Sequence, residues 1–180
     1  MCLAGSDYRL GDQHPEIALM GACPGAQEEE QGRPFIGDAG THLAAMIRII
    51  NAISPAKFPS EDRDDYTLLN AHPVPRYEGR AGYDGNTEPT RPEVMCDVNI
   101  VRLNQQLRQS GINRILLAGT RPQWLAERLV LDFPRIEVFV CGHPSSSAWN
   151  RRYVGQPRAE KIRLWTQETY KMVHPFCVHR

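Results

Sequence analysis

The sequence predicts an α/β protein, a three-layer α/β/α sandwich around a four-stranded parallel sheet, and three observations carry that prediction. Short apolar runs of strand length alternate four times with longer stretches of helical periodicity. The runs are apolar enough to be buried on both faces, which is the habit of parallel strands. The chain, at 180 residues and 41% hydrophobic, is of a size to build one ordinary core, so a single domain over residues 1–180 is expected.

Taken in order, residues 1–15 show no periodicity and are expected to wrap the surface. Residues 17–20 form the first strand, and a glycine- and proline-shaped loop follows, GACPGAQEEEQGRPFIGDAG, from Gly21 to Gly40. Its Gly21, Pro24 and Gly25 free backbone N–H groups to face an anion or a carbonyl oxygen. The next helix is expected to take Asp38 or Thr41 as its N-cap, because Leu43, Met46, Ile47 and Ile50 then share one buried face, and it stops before Pro55. Residues 66–71 make the second strand. Residues 72–89 make a loop long enough to imply a functional or mobile role.

A single helix is predicted over residues 92–109, with Val94, Val98 and Val101 on one line, Ile100, Leu103 and Leu107 on its neighbour, and Gly111 as the stop. Residues 115–118 are the third strand. Thr120 caps a short helix through Leu131, residues 136–141 are the fourth strand, and a last helix over 157–173 buries Ile162, Trp165, Thr169, Met172 and Val173. Ligands of such sheets bind beyond the carboxyl ends of the strands. The first, second and fourth strands run directly into Gly21, Asn70 and His143, so topology alone brings these three segments to one edge.

Composition narrows the partners. Lys and Arg (21) balance Asp and Glu (21), so overall charge does not point to nucleic acid. The distribution is more telling: residues 143–180 hold seven basic residues (Arg151, Arg152, Arg158, Lys161, Arg163, Lys171, Arg180) against Glu160 and Glu168. That is either a phosphate-facing surface or an ordinary solvated helix. No apolar run approaches a membrane span and no signal-peptide pattern opens the chain. Cys2, Cys23, Cys96, Cys141 and Cys177 are scattered without CxxC spacing, as suits reduced thiols. A soluble, cytoplasmic monomer without membrane contact is therefore expected.

The Gly21 to Gly40 loop, Tyr66-Thr67-Leu68-Leu69-Asn70 and Gly142-His143-Pro144-Ser145-Ser146 together resemble the motifs of the uracil-DNA glycosylase superfamily, above all its family 4 type and relatives. The resemblance covers most of residues 16–173, in the family's order. It implies a monofunctional DNA glycosylase that flips a target pyrimidine out of DNA and hydrolyses its N-glycosidic bond, leaving an abasic site. His143 would donate to the leaving base, Asn70 would read the base edge, and Phe35 would stack on the ring. Gly21, Ala22, Cys23, Pro24 and Gly25 would frame the base. Ser145, Ser146, Ser147, Arg151 and Arg152 would hold DNA, with Trp149 and Asn150 among the residues that wedge into the duplex. Read without the family, His143 could be a satisfied loop residue, Asn70 a turn former and Phe35 part of the core.

Departures from the family are equally informative. Ala22 stands where the GExPG glutamate is expected, and Cys23 where other branches place Asp or Asn. A neutral thiol is a poor base. The water activator must then come from elsewhere, and Asp84, in the longer loop after Asn70, is the candidate. The small residues at 22 and 23 also widen the floor of the base slot, which suits a modified pyrimidine, including the bulky hypermodified cytosines of phage DNA that defence glycosylases remove, as well as uracil in repair.

Only Cys96 matches the family 4 iron–sulfur ligands, so no cluster, other metal or cofactor is expected, and Cys96 becomes a small buried hydrophobe. Lysine occurs only at 57, 161 and 171, away from every motif, which favours hydrolysis over a Schiff-base route. Two other readings stay open: a degenerate module that binds bases without turnover, and a nucleoside hydrolase.

Overall fold

In a computed structural model, which describes residues 5–173, the chain forms one mixed sheet between two helical layers. The strands are β1 (Tyr8–Arg9), β2 (His14–Gly21), β3 (Tyr66–Asn70), β4 (Arg114–Ala118), β5 (Glu137–Cys141) and β6 (Lys171–Val173), in the spatial order β1-β3-β2-β4-β5-β6. The four expected strands are the central, mutually parallel ones. The sheet nevertheless has six strands rather than four, because a short antiparallel strand closes each edge. Tyr8 and Arg9 pair with Leu69 and Leu68, and the chain after the last helix returns along β5 with Val173 opposite Val138. Two- and three-residue strands are too short to show a period, which is why residues 1–15 read as featureless and residues 171–173 as the end of a helix.

Alternation along the strands sorts the core into two halves. Ala18, Met20, Leu69, Ile115, Leu117, Val138 and Val140 face one helical layer, where they meet Val94, Ile100, Leu103, Leu107 and Leu129. Ile17, Leu19, Leu68, Leu116, Phe139 and Cys141 face the other, against Leu43, Met46, Ile47, Ile50, Trp149 and Ile162.

The helices are α1 (Ala26–Gln31), α2 (Asp38–Ile53), α3 (Arg91–Met95), α4 (Asp97–Gln109), α5 (Thr120–Gln123), α6 (Ala126–Asp132), α7 (Ser146–Asn150) and α8 (Arg158–Thr169). For α2 the cap is Gly37, and Asp38 is instead the first helical residue, where its negative charge suits the amino terminus.

The helix expected over 92–109 is two helices. Cys96 has extended backbone (ψ 147°), α3 opens with a Thr90–Glu93 capping box, and Asn99 Nδ2 donates to the carbonyl of Val94, an acceptor freed by the break, and to that of Ala71 after β3, both at 2.7 Å. The break lets Val94 point inward from α3 while Ile100, Leu103 and Leu107 point inward from α4. Val98 and Val101 are left exposed, and so is Cys96, which is not the buried hydrophobe expected.

Candidate functional site: a cleft at the carboxyl edge of the sheet

A cleft of about 550 Å³ opens beyond the carboxyl ends of β2, β3 and β5. Gly21 to Gly25, Phe35, Asn70, His143, Pro144, Ser145, Ser147 and Arg151 all line it, so the three motif segments share one cavity. The first two are laced together by backbone hydrogen bonds: the N–H groups of Ala71, His72 and Arg76 donate to the carbonyls of Gly21 (2.8 Å), Ala22 (2.9 Å) and Pro24 (3.0 Å).

Phe35 is the residue among those described, other than glycine, with a left-handed backbone (φ 58°). That conformation costs an ordinary residue about 1–3 kcal/mol and persists where the surroundings enforce it. Here Gly21 and Gly40 permit it. A Cβ on Gly40 would lie 1.7 Å from the Phe35 carbonyl oxygen, and one on Gly21 would lie 2.7 Å from Phe35 Cζ and 2.8 Å from Asn70 Oδ1. The ring is therefore buried, yet it forms a cleft wall beside the Asn70 amide. The alternatives of core residue and stacking surface are not exclusive at this position. Asn70 is buried as well; its carbonyl accepts from Arg102 Nη2 (3.0 Å) and its N–H donates to Asp7 (2.9 Å), so its backbone is held and its side chain is turned to the cleft.

His143 is half-buried, and burial lowers its pKa below the usual histidine value; the neighbouring Glu88 opposes that shift and Arg121 adds to it. Its Nε2 lies 3.9 Å from Glu88 Oε1, whose other oxygen pairs with Arg121 Nη2 at 2.9 Å. The imidazole is accordingly neutral near pH 7 and has one ring N–H to donate.

Glu28, from the first motif, spends both oxygens on backbone: Oε2 accepts from Gly25 N (3.0 Å) and Oε1 from Gly37 N (3.5 Å). It shapes the loop. Cys23 is a cleft residue whose thiol is pushed up to about 12, chiefly by burial, and whose Sγ contacts the Thr87 carbonyl at 3.7 Å.

Several expected positions lie elsewhere. Asp84 is exposed and lines a separate small hollow with Arg76, Arg80 and Tyr83, not the cleft. Its carboxylate accepts from Asn86 N at 3.0 Å, an Asx turn that commits it to shaping the loop tip. Arg152 and Ser146 are not among the cleft residues; Arg152 is tied to Glu168, while Ser146 starts α7. Trp149 cannot wedge into a duplex, because it is almost fully buried, with its ring edge-on to His42 at 4.7 Å.

Conversely, Arg76, Thr87 and Glu88, to which no motif assigns a role, also line the cleft, all from the loop between β3 and α3. The unusual length of that loop was the signal available. Buried Nε atoms of Arg76 and Arg121 have no hydrogen-bond partner.

The described cysteines do not fit a four-thiolate cluster. Cys23 contacts a carbonyl, Cys96 is exposed at the α3–α4 break, and Cys141 is buried in β5. No helix among the described residues is long and apolar enough to cross a membrane.

The family model of the Uracil DNA glycosylase superfamily matches residues 8–167. The chain is also 27% identical over 128 residues to a protein named Type-4 uracil-DNA glycosylase from Archaeoglobus fulgidus; the match takes in 71% of this chain and 55% of that protein, so the chain spans about half the length of the relative it matches. With the strand order, the three motifs on one cleft and a family match over most of its length, this chain belongs to the uracil-DNA glycosylase superfamily and is related to its type-4 members.

Proposed function

We propose that the chain is a monofunctional DNA glycosylase, hydrolysing the N-glycosidic bond of a pyrimidine flipped into the cleft and leaving an abasic site. The observation that carries this reading is the meeting of Phe35, Asn70 and His143 around one cavity. An aromatic face, an amide with both donor and acceptor, and a neutral imidazole donor supply stacking, edge reading and stabilisation of the charge that develops on a leaving base. Ser145, Ser147 and Arg151 at the rim are suited to phosphate oxygens of the flipped nucleotide.

Ala22 and Cys23 leave the floor beside the ring without a large side chain, and Arg76, Thr87 and Glu88 offer polar groups nearby. The substrate class in this reading is uracil or a modified pyrimidine, including a bulky hypermodified phage base. Water activation falls to the cleft carboxylates that backbone contacts leave free, Glu88 and Asp38, since Glu28 is spent and Asp84 is outside.

The test is abasic-site formation on duplexes containing uracil, hydroxymethylated or glucosylated pyrimidines, with His143→Ala beside the wild type. Product from at least one duplex, lost in the variant, is expected. The missing carboxylate at Ala22 and the protonated Cys23 favour one rival, a module that binds an extruded base without turnover. Tight binding to a modified duplex with no product from any member of the panel would establish that rival.

A further inference from the structure

Three consecutive residues of the β5–α7 loop are each held by a side chain from the helical layer behind the cleft. Gly142 N–H donates to Thr169 Oγ1 (2.8 Å), the His143 carbonyl accepts from Trp165 Nε1 (3.2 Å), and the Pro144 carbonyl meets His42 Nδ1 (3.0 Å). The first two grips come from α8. The third comes from α2, and His42 is itself held: Nε2 contacts Arg158 Nη2, and the ring stands edge-on to Trp149.

The chemistry of these contacts defines the ring. A carbonyl can only accept, so Nδ1 must carry the proton; a guanidinium can only donate, so Nε2 must offer its lone pair. His42 is thus an Nδ1–H imidazole, 4% exposed, joining α8 to the loop that bears His143. With the Gly142 N–H and the His143 carbonyl, the Pro144 carbonyl completes three successive anchors on the backbone that carries the His143 side chain.

We propose that His42 is a positioning residue: by holding the Pro144 carbonyl, and being held by Arg158, it aims the His143 imidazole into the cleft. This rests on the reading of His143 as the donor to the leaving base. His42 touches no cleft volume of its own; it lies behind the loop, against a second hollow between α2 and α8.

Three variants separate aim from mere support. His42→Asn places an amide N–H where Nδ1–H stands and keeps the Pro144 contact, His42→Leu removes both contacts, and Arg158→Gln loosens only the outer one. Under single-turnover conditions His42→Leu is expected to lower the excision rate about 10- to 100-fold, the scale of a misaimed catalytic group, with DNA affinity little changed. His42→Asn recovers most of that rate, and Arg158→Gln shows a smaller loss in the same parameter. Equal losses in the Asn and Leu variants, or a fall confined to DNA affinity or melting temperature, would overturn the proposal.

A readout independent of turnover is the imidazole NMR spectrum. His42 is expected as the Nδ1–H tautomer, and the His143 ring resonances should move in His42→Leu but stay in place in His42→Asn. Unmoved His143 resonances in the Leu variant would refute the aiming role even if the wild type excised no base; absence of excision alone would refute only the glycosylase reading.

Discussion

His143 stands on Gly119. A Cβ at Gly119 would fall 2.8 Å from His143 Cδ2 and 3.1 Å from its Cβ, and Gly119 has a φ of 97°, which side chains other than glycine's rarely adopt. The end of β4 therefore supplies a floor for the imidazole that no other residue could form.

Gly119→Ala should accordingly combine backbone strain with displacement of the histidine. We expect a stability loss of about 1–3 kcal/mol by denaturant titration. The excision rate should fall about as far as in His143→Ala, roughly 10²- to 10³-fold for loss of one charge-stabilising donor. An alanine variant with wild-type excision would show that His143 tolerates a different seat.

Gly21→Ala addresses the opposite wall. Its methyl would intrude on the Phe35 ring and on Asn70 Oδ1, both buried, so the ring must leave the slot or the slot must narrow. Loss of one base–aromatic stack is worth about 1–3 kcal/mol, so product formation should drop about 5- to 150-fold, and binding to a duplex carrying the target base should weaken toward that for an unmodified one. Competition binding with matched duplexes measures this directly.

Acidification should destabilise the fold through His143 and His72, whose pKa values are both lowered by burial. The unfolded chain binds these protons near pH ~6.5 while the folded chain resists them, so stability is fully present above about pH 6.5 and is lost as pH falls through the lower folded values. Urea titrations at successive pH values should show this slope, and His143→Gln should flatten part of it. Unchanged midpoints on moving from pH 7.5 to 5.5 would contradict it.

Thiol chemistry should discriminate sharply. Burial raises Cys23 and Cys141 to about 12, so neither holds appreciable thiolate at pH 8, while Cys96 is exposed. Iodoacetamide followed by peptide mapping should modify Cys96 well before Cys23 or Cys141. Rapid alkylation of Cys23 would mean that the cleft thiol is activated in spite of its burial.

The sequence alone determined the parallel core of the sheet and the convergence of Gly21, Asn70 and His143, because strand-length apolar runs and the chain direction decide which loops share an edge. It also marked the chemical vacancies at Ala22 and Cys23, which depend only on residue identity. Contact between distant segments decided the rest. The edge strands exist because Tyr8 and Val173 find partners in β3 and β5, the helix over 92–109 breaks where Asn99 takes up the Val94 carbonyl, and Trp149 turns inward onto His42. Asp84 is held outside the cleft by a local Asx turn, while Glu88 lines the cleft beside an Arg121 partner thirty-three residues further along the chain. Periodicity records which face is apolar; it carries no information about which buried polar group will meet another across the fold, and that pairing aims the imidazole.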